Sequence, residues 1–185
     1  TARMSRVNPP MNSTWRKSTR YAGAAAASHE PAMTSHTPVH THHATVVGEA
    51  GVGKSRLVAE LLTTLDVRSV HGRCLPYGEG ITYWPVVQVV KQLDAVPSDT
   101  AAAGSIRSLL RETEQVSSAE EIAWAFRKLL EEQAPLVVLL DDIQWGEETL
   151  LDLIEGTALL SSRAPLLILC IARPELLEQR PSWPV

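Results

Sequence analysis

A chain of 185 residues, 44% of them hydrophobic, with a net charge of −4, has room for one α/β domain with a sizeable core but not for two full ones. The charge is unevenly spread: Arg3, Arg6, Arg16, Lys17 and Arg20 stand against the single acid Glu30 within residues 1–45, which leaves −8 on the remainder and argues against a nucleic-acid-binding surface there. No apolar run reaches the roughly 18–20 residues needed to cross a bilayer. Residues 1–30 lack the continuous apolar stretch of a signal peptide, and Cys74 and Cys170 lack CxxC or histidine partner spacing, so buried thiols in the cytoplasm are expected.

Residues 1–43 are rich in Thr, Ser, Pro, His and Ala without a periodic apolar pattern, and are expected to be disordered. His36, His40, His42 and His43 lie in this stretch and read as unstructured histidines rather than as a metal tract. The domain is expected to span residues 44–185. It opens with Ala44-Thr45-Val46-Val47, a short β-branched run that predicts a buried strand, and continues through Gly48-Glu49-Ala50-Gly51-Val52-Gly53-Lys54-Ser55, a complete Walker A pattern. Leu57, Val58, Leu61, Leu62 and Leu65 follow at helical spacing, so the glycine loop joins a strand to a helix N-terminus.

Each residue type in that loop has a separate job. Gly48, Gly51 and Gly53 can take positive φ and turn backbone N–H groups toward an anion, and the helix that follows adds unpaired N–H groups and the positive end of its dipole. Lys54 is then assigned to the β- and γ-phosphates of ATP and the Ser55 hydroxyl to Mg²⁺.

Further along, Val67 to His71 predicts a second strand, and Pro85 the start of a helix to about Val96. Another helix is expected around Ala101–Arg111. Ser118 and Glu121 form a capping-box pair ahead of Ile122, Ala125, Phe126, Leu129 and Leu130, and Pro135 ends that helix. Leu136 to Leu140 is a continuous apolar run typical of a parallel strand covered on both faces. A helix over about Glu147–Leu160 and a last strand over Leu166–Ile171 complete an alternation that predicts a three-layer α/β fold with a doubly wound parallel sheet, whose carboxyl edge binds ligands.

Asp141 and Asp142 end the apolar strand at that edge, as a Walker B element does. Asp141 is assigned to Mg²⁺, and Asp142 to orienting or deprotonating the attacking water. Strand termination or helix capping is the plainer reading of such a pair. Arg173, after the last strand, could donate to the γ-phosphate as a sensor, and Arg73 holds a similar place after the second strand; a solvated charge is the ordinary reading of both. Trp84 and Trp145 are expected to pack rather than to stack on a base.

The segments GEAGVGKSRLVAEL, GRCLPYGEGITYWP, VVLLDDIQW and LLILCIARPELL occur in this order and resemble the AAA-type, STAND-class ATPase module, similar to origin-recognition ATPases. That module is found in bacterial adenylate/guanylate cyclase-like proteins and LuxR-type regulators. The resemblance covers about Thr45–Trp183 and implies ATP and Mg²⁺ as cofactors, Lys54 and Ser55 at the phosphates, Asp141 at the metal, Asp142 near the water and Arg173 as sensor. It also implies a slow switch that couples nucleotide state to effector domains of a larger protein. Gln144 stands where that family usually has His, and Gly146-Glu147 where it has Ala-Asp. The family's upstream Val-Gly-Arg box and its helical lid have no counterpart, so a truncated fragment is expected. No helix-turn-helix, basic zipper or zinc-finger pattern predicts direct nucleic-acid contact. The expected function is ATP binding with slow Mg²⁺-dependent hydrolysis. The alternatives are a nucleotide-binding regulatory segment that hydrolyses nothing, or an inactive gene fragment.

Overall fold

Four parallel strands, β1 (His42–Val47), β2 (Ser69–Arg73), β3 (Leu136–Asp141) and β4 (Leu166–Ala172), form a sheet in the order β1-β4-β3-β2 in the computed structural model. The model describes residues 40–76, 82–161 and 163–184. The segment 1–39, expected to be disordered, and the loop 77–81 lie outside the described residues. Among the described residues five α-helices connect the strands, α1 (Lys54–Thr64), α2 (Trp84–Leu93), α3 (Thr100–Leu109), α4 (Ala119–Gln133) and α5 (Glu148–Leu160), and α6 (Glu175–Gln179) follows β4.

Alternation of side chains along the two central strands builds two cores. Leu136, Val138 and Leu140 of β3, with Leu166, Ile168 and Cys170 of β4, face a large layer made by α2, α3, α4, α5 and α6. Leu139, Leu169 and Ile171 point the other way and meet Val58 of α1. Helices therefore cover both faces, and the chain crosses from β1 to β2 at the far edge and then reverses its direction through β3 and β4, which is the doubly wound arrangement. The continuous apolar runs of β3 and β4 follow from burial on both faces. The α1 layer is thin. Of its five periodic leucines and valine only Val58 is buried, while Leu57 is 63% exposed, so helical spacing alone overstated the buried face.

Local chemistry sets the element ends. Ser118 accepts from the Glu121 N–H and Glu121 returns a bond to the Ser118 N–H, the reciprocal cap expected from sequence. The Asp99 carboxylate accepts from the N–H groups of Ala101 and Ala102 and starts α3 one residue earlier than expected. α2 stops at Leu93, short of Val96, because Asp94 turns left-handed at φ 50° and Arg68 donates to the carbonyls of Gln92 and Leu93.

The second strand lies two residues later than its β-branched content suggested, and α2 explains the shift. On the outer edge of β2, the Gln92 amide exchanges hydrogen bonds with the N–H and C=O of His71, and Gln88 accepts from the Arg73 N–H at 2.7 Å. One helical turn of glutamines thus occupies the backbone groups that an edge strand leaves open. Gly72 permits this, since a Cβ there would lie 2.5 Å from the Pro85 carbonyl oxygen.

β1 also begins earlier than expected, at His42, so the boundary drawn between residues 43 and 44 falls inside a strand. Its inward residues are held by the C-terminal segment. Trp183 is buried, donates from Nε1 to the Thr45 hydroxyl at 2.9 Å and meets the His43 ring edge-on at 5.4 Å. Arg180 anchors that segment to α5 through Glu148, Asp152 and Glu155.

Burial holds the imidazoles of His43 and His71 below their ordinary range, with the nearby Arg73 cation acting in the same sense on His71 and Asp141 opposing it. A histidine whose native pKa is depressed contributes full stability above about pH 6.5 and loses it as pH falls below that value. The melting temperature should therefore drop between about pH 7 and pH 5.5, and His43→Gln should reduce the drop. Parallel losses in parent and variant would remove His43 as a cause.

Candidate nucleotide-binding site

The register of the sheet brings every sequence-predicted site residue to one edge. Val47 pairs with Ala172 and Arg73 with Asp141, so the glycine loop, Arg173, the Asp141-Asp142 pair and Arg73 all follow the carboxyl ends of neighbouring strands. The Gly48 N–H donates to the Ala172 carbonyl at 3.3 Å and ties the start of the loop to β4.

Within the loop, Gly51 has φ 79° and Gly53 has φ 101°, conformations that disfavour any side chain, whereas Gly48, expected to share them, does not take positive φ and instead leaves room for the Val52 side chain, 3.1 Å from where its Cβ would lie. Gly53 is the N-cap of α1, so the first N–H groups of the helix have no intrahelical acceptor and open toward the loop. Residues Glu49 to Gly53 are exposed, as is Ser55 at the second position of the helix. The Lys54 ammonium folds back on the loop and donates to the carbonyls of Gly48 at 2.6 Å and Glu49 at 2.9 Å. These contacts hold the cation at the mouth of the loop, where an incoming phosphate would compete for it.

Asp141 is half-buried at the end of β3. Burial pushes its carboxyl above the ordinary range, and the adjacent Asp142 carboxylate adds to this, while Arg73 and His71 oppose. Asp142 adopts the left-handed conformation at φ 57° and ψ 37° and begins a 3₁₀ turn, Ile143–Trp145. Its Oδ2 accepts from Arg73 Nε at 2.9 Å and Nη2 at 2.6 Å, and its Oδ1 accepts from Gln144 Nε2 at 3.2 Å. The pair with Asp142 raises the Arg73 guanidinium further above its ordinary value. Arg73 is therefore bound to the acid of the site. Its side chain stays 57% exposed, so it remains the solvated charge of its ordinary reading from sequence and also pairs with this acid.

Arg173 is half-buried after β4, and its backbone N–H donates to Gln144 Oε1 at 3.1 Å. Gln144 was noticed in sequence only as a departure from a family pattern. The hydrogen bonds that give it a place in the site span residues 142 to 173, a separation no local pattern reveals. Trp84 and Trp145, expected to pack, are 39% and 46% exposed, because each stands at the end of its element. Cys74 and Cys170 are buried free thiols as expected. Burial pushes Cys74 up to about 12 and Cys170 up as well, which keeps both protonated and unreactive.

Mg²⁺ fits this donor set. A hard cation that shares phosphate oxygens needs only one or two protein oxygens, which the exposed Ser55 hydroxyl and the Asp141 carboxylate would supply. Among the described residues no group of three or more His, Cys, Asp or Glu side chains could hold a metal without such help. No helix among them is long and apolar enough to cross a membrane.

A glycine loop between a strand and a helix, set beside an acid-ended strand in a doubly wound parallel sheet, defines a P-loop NTPase fold. The chain belongs to the AAA ATPase domain family, whose model matches residues 31–169. Solved structures similar to it include two of the genome packaging NTPase B204 from Sulfolobus turreted icosahedral virus 2, one in complex with ATP-gammaS and one with sulfate. Each is 11% identical with a TM-score of 0.34, over 77% of this chain and 72% and 71% of theirs, a likeness too slight to bear on function. No curated protein sequence matches the chain.

Proposed function

We propose that this chain binds ATP with Mg²⁺, hydrolyses it slowly, and serves as a nucleotide switch for effector domains of a larger signalling or transcription-regulatory protein in the cytoplasm. The observation that carries this reading is the convergence at one sheet edge of the Lys54 ammonium, the open loop of Gly51 and Gly53, the Asp141-Asp142 pair and Arg173. The STAND-like order of the four sequence segments supports the switch role.

The loop and the α1 N-terminus would bind the phosphates, with Lys54 exchanging its two carbonyl acceptors for phosphate oxygens. When bound, Mg²⁺ would neutralise charge on the departing phosphoryl group. Ser55 and Asp141 would hold it. Asp142 would orient a water or accept its proton, and Arg173 would meet the γ-phosphate from β4. Positioning and electrostatics supply the catalysis, and no covalent intermediate on the protein is needed.

One observation favours the alternative, a regulatory segment that binds nucleotide without turnover. Arg73 occupies one oxygen of Asp142 with two N–H groups, which ties up the acid. Two measurements separate the possibilities. Mg-ATP at about 100 times its Kd should add about 2.7 kcal/mol of stability in thermal melting, and a missing shift would leave only an inactive fragment. Phosphate release above the rate of the Asp142→Asn variant supports hydrolysis; equal rates favour the non-hydrolysing segment.

A further inference from the structure

Gln144 is one of four buried polar side chains among the described residues, with 3% of its surface exposed. Two of the others, Ser105 and Thr157, bond back to the carbonyls of Ala101 and Leu153 in their own helices. Gln144 instead reaches across the sheet edge. A backbone N–H can only donate, so the side-chain oxygen must face Arg173, at 3.1 Å. The amide nitrogen is thereby directed to the Asp142 carboxylate, an acceptor only, at 3.2 Å. Chemistry alone settles the orientation of this amide.

The carboxylate is thus held on both oxygens, from β2 and from the 3₁₀ turn that follows β3. Arg73 of β2 takes Oδ2 and Gln144 takes Oδ1, while Asp142 itself sits in the left-handed conformation that a surrounding structure must enforce. The 3₁₀ turn that carries Gln144 is fixed by bonds from the Trp145 N–H to the Asp142 carbonyl and from the Gly146 N–H to the Ile143 carbonyl.

We infer that Gln144 is a positioning residue that ties the Asp142 carboxylate to the backbone of Arg173, so that the acid and the sensor position move together. It acts through Asp142. This deepens the hydrolytic reading of the same site and rests on it for the catalytic part of the test.

The experiment combines Gln144→Leu, which keeps the volume and removes both bonds, with Gln144→His, whose neutral ring offers one donor and one acceptor and can restore them. Amide hydrogen exchange at Arg173 should quicken about 10-fold in Gln144→Leu and several-fold in Asp142→Ala, and the double variant should exchange no faster than Gln144→Leu alone. In phosphate release, Gln144→Leu should lower kcat about 10-fold with the nucleotide Kd within about threefold of the parent, and Gln144→His should recover most of the loss. Unchanged exchange at Arg173 in Asp142→Ala overturns the inference, whether or not the leucine variant folds. So does a kcat loss from Gln144→Leu that repeats in full on top of Asp142→Asn. If the parent releases no phosphate, the hydrolytic reading falls and the exchange cycle alone decides the positioning role.

Discussion

Replacing Lys54 by methionine should weaken Mg-ATP binding by about 10- to 150-fold, the equivalent of losing one charge-assisted hydrogen bond worth roughly 1.5–3 kcal/mol. Methionine keeps the length of the side chain and the helix propensity of the first position of α1, so the fold is spared. Among the described residues Lys54 donates to the carbonyls of Gly48 and Glu49, both in the glycine loop itself. Because the ammonium gives up those two bonds when it turns to a phosphate, their loss offsets part of the gain, which places the expected effect toward the smaller end. Competition against a fluorescent nucleotide measures it directly. A Kd within threefold of the parent would mean that the loop does not hold the phosphates in the way its geometry suggests.

Converting Asp142 to asparagine should lower turnover by about 10²- to 10⁴-fold, the usual worth of a positioned acid–base group, while Mg-ATP still binds. The structure adds a reason beyond lost basicity. Asp142 accepts from Arg73 on one oxygen and from Gln144 on the other, and asparagine has a single acceptor oxygen. One of the two contacts then becomes donor against donor, so the side chain must rotate away from at least one partner. Asp141 lies next to it and keeps its carboxylate, so the oxygen proposed to hold Mg²⁺ is retained. Single-turnover phosphate release together with a binding titration separates the two effects. Hydrolysis by the variant at the parental rate would remove Asp142 from the chemistry.

Much of this site was legible in the sequence because its parts are local. The glycine loop is eight consecutive residues whose jobs follow from backbone freedom and helix polarity, and the acid pair ends an apolar run that only a doubly covered strand explains. The capping box at Ser118 and Glu121 is equally local, and the structure shows both of its bonds. The misplaced second strand is different in kind. Val67 and Val70 favour a strand by type, yet the pairing was moved to Ser69–Arg73 by the register with β3 and by glutamines one turn apart on α2. Propensity is a weak prior where cross-sheet partners decide.

From the sequence by itself came the fold class, the glycine loop between strand and helix, the acid-ended strand and the order of strands and helices along the chain, since all of these are written in spacing, glycine placement and apolar periodicity. The tertiary structure alone decided what the charged residues at the sheet edge do to one another. Arg73 and Asp142 are 69 positions apart, and Gln144 and Arg173 are 29 apart, yet the strand order β1-β4-β3-β2 sets them side by side. Hydrogen bonds act over about 3 Å, and only the register of a folded sheet determines which distant residues come within that reach.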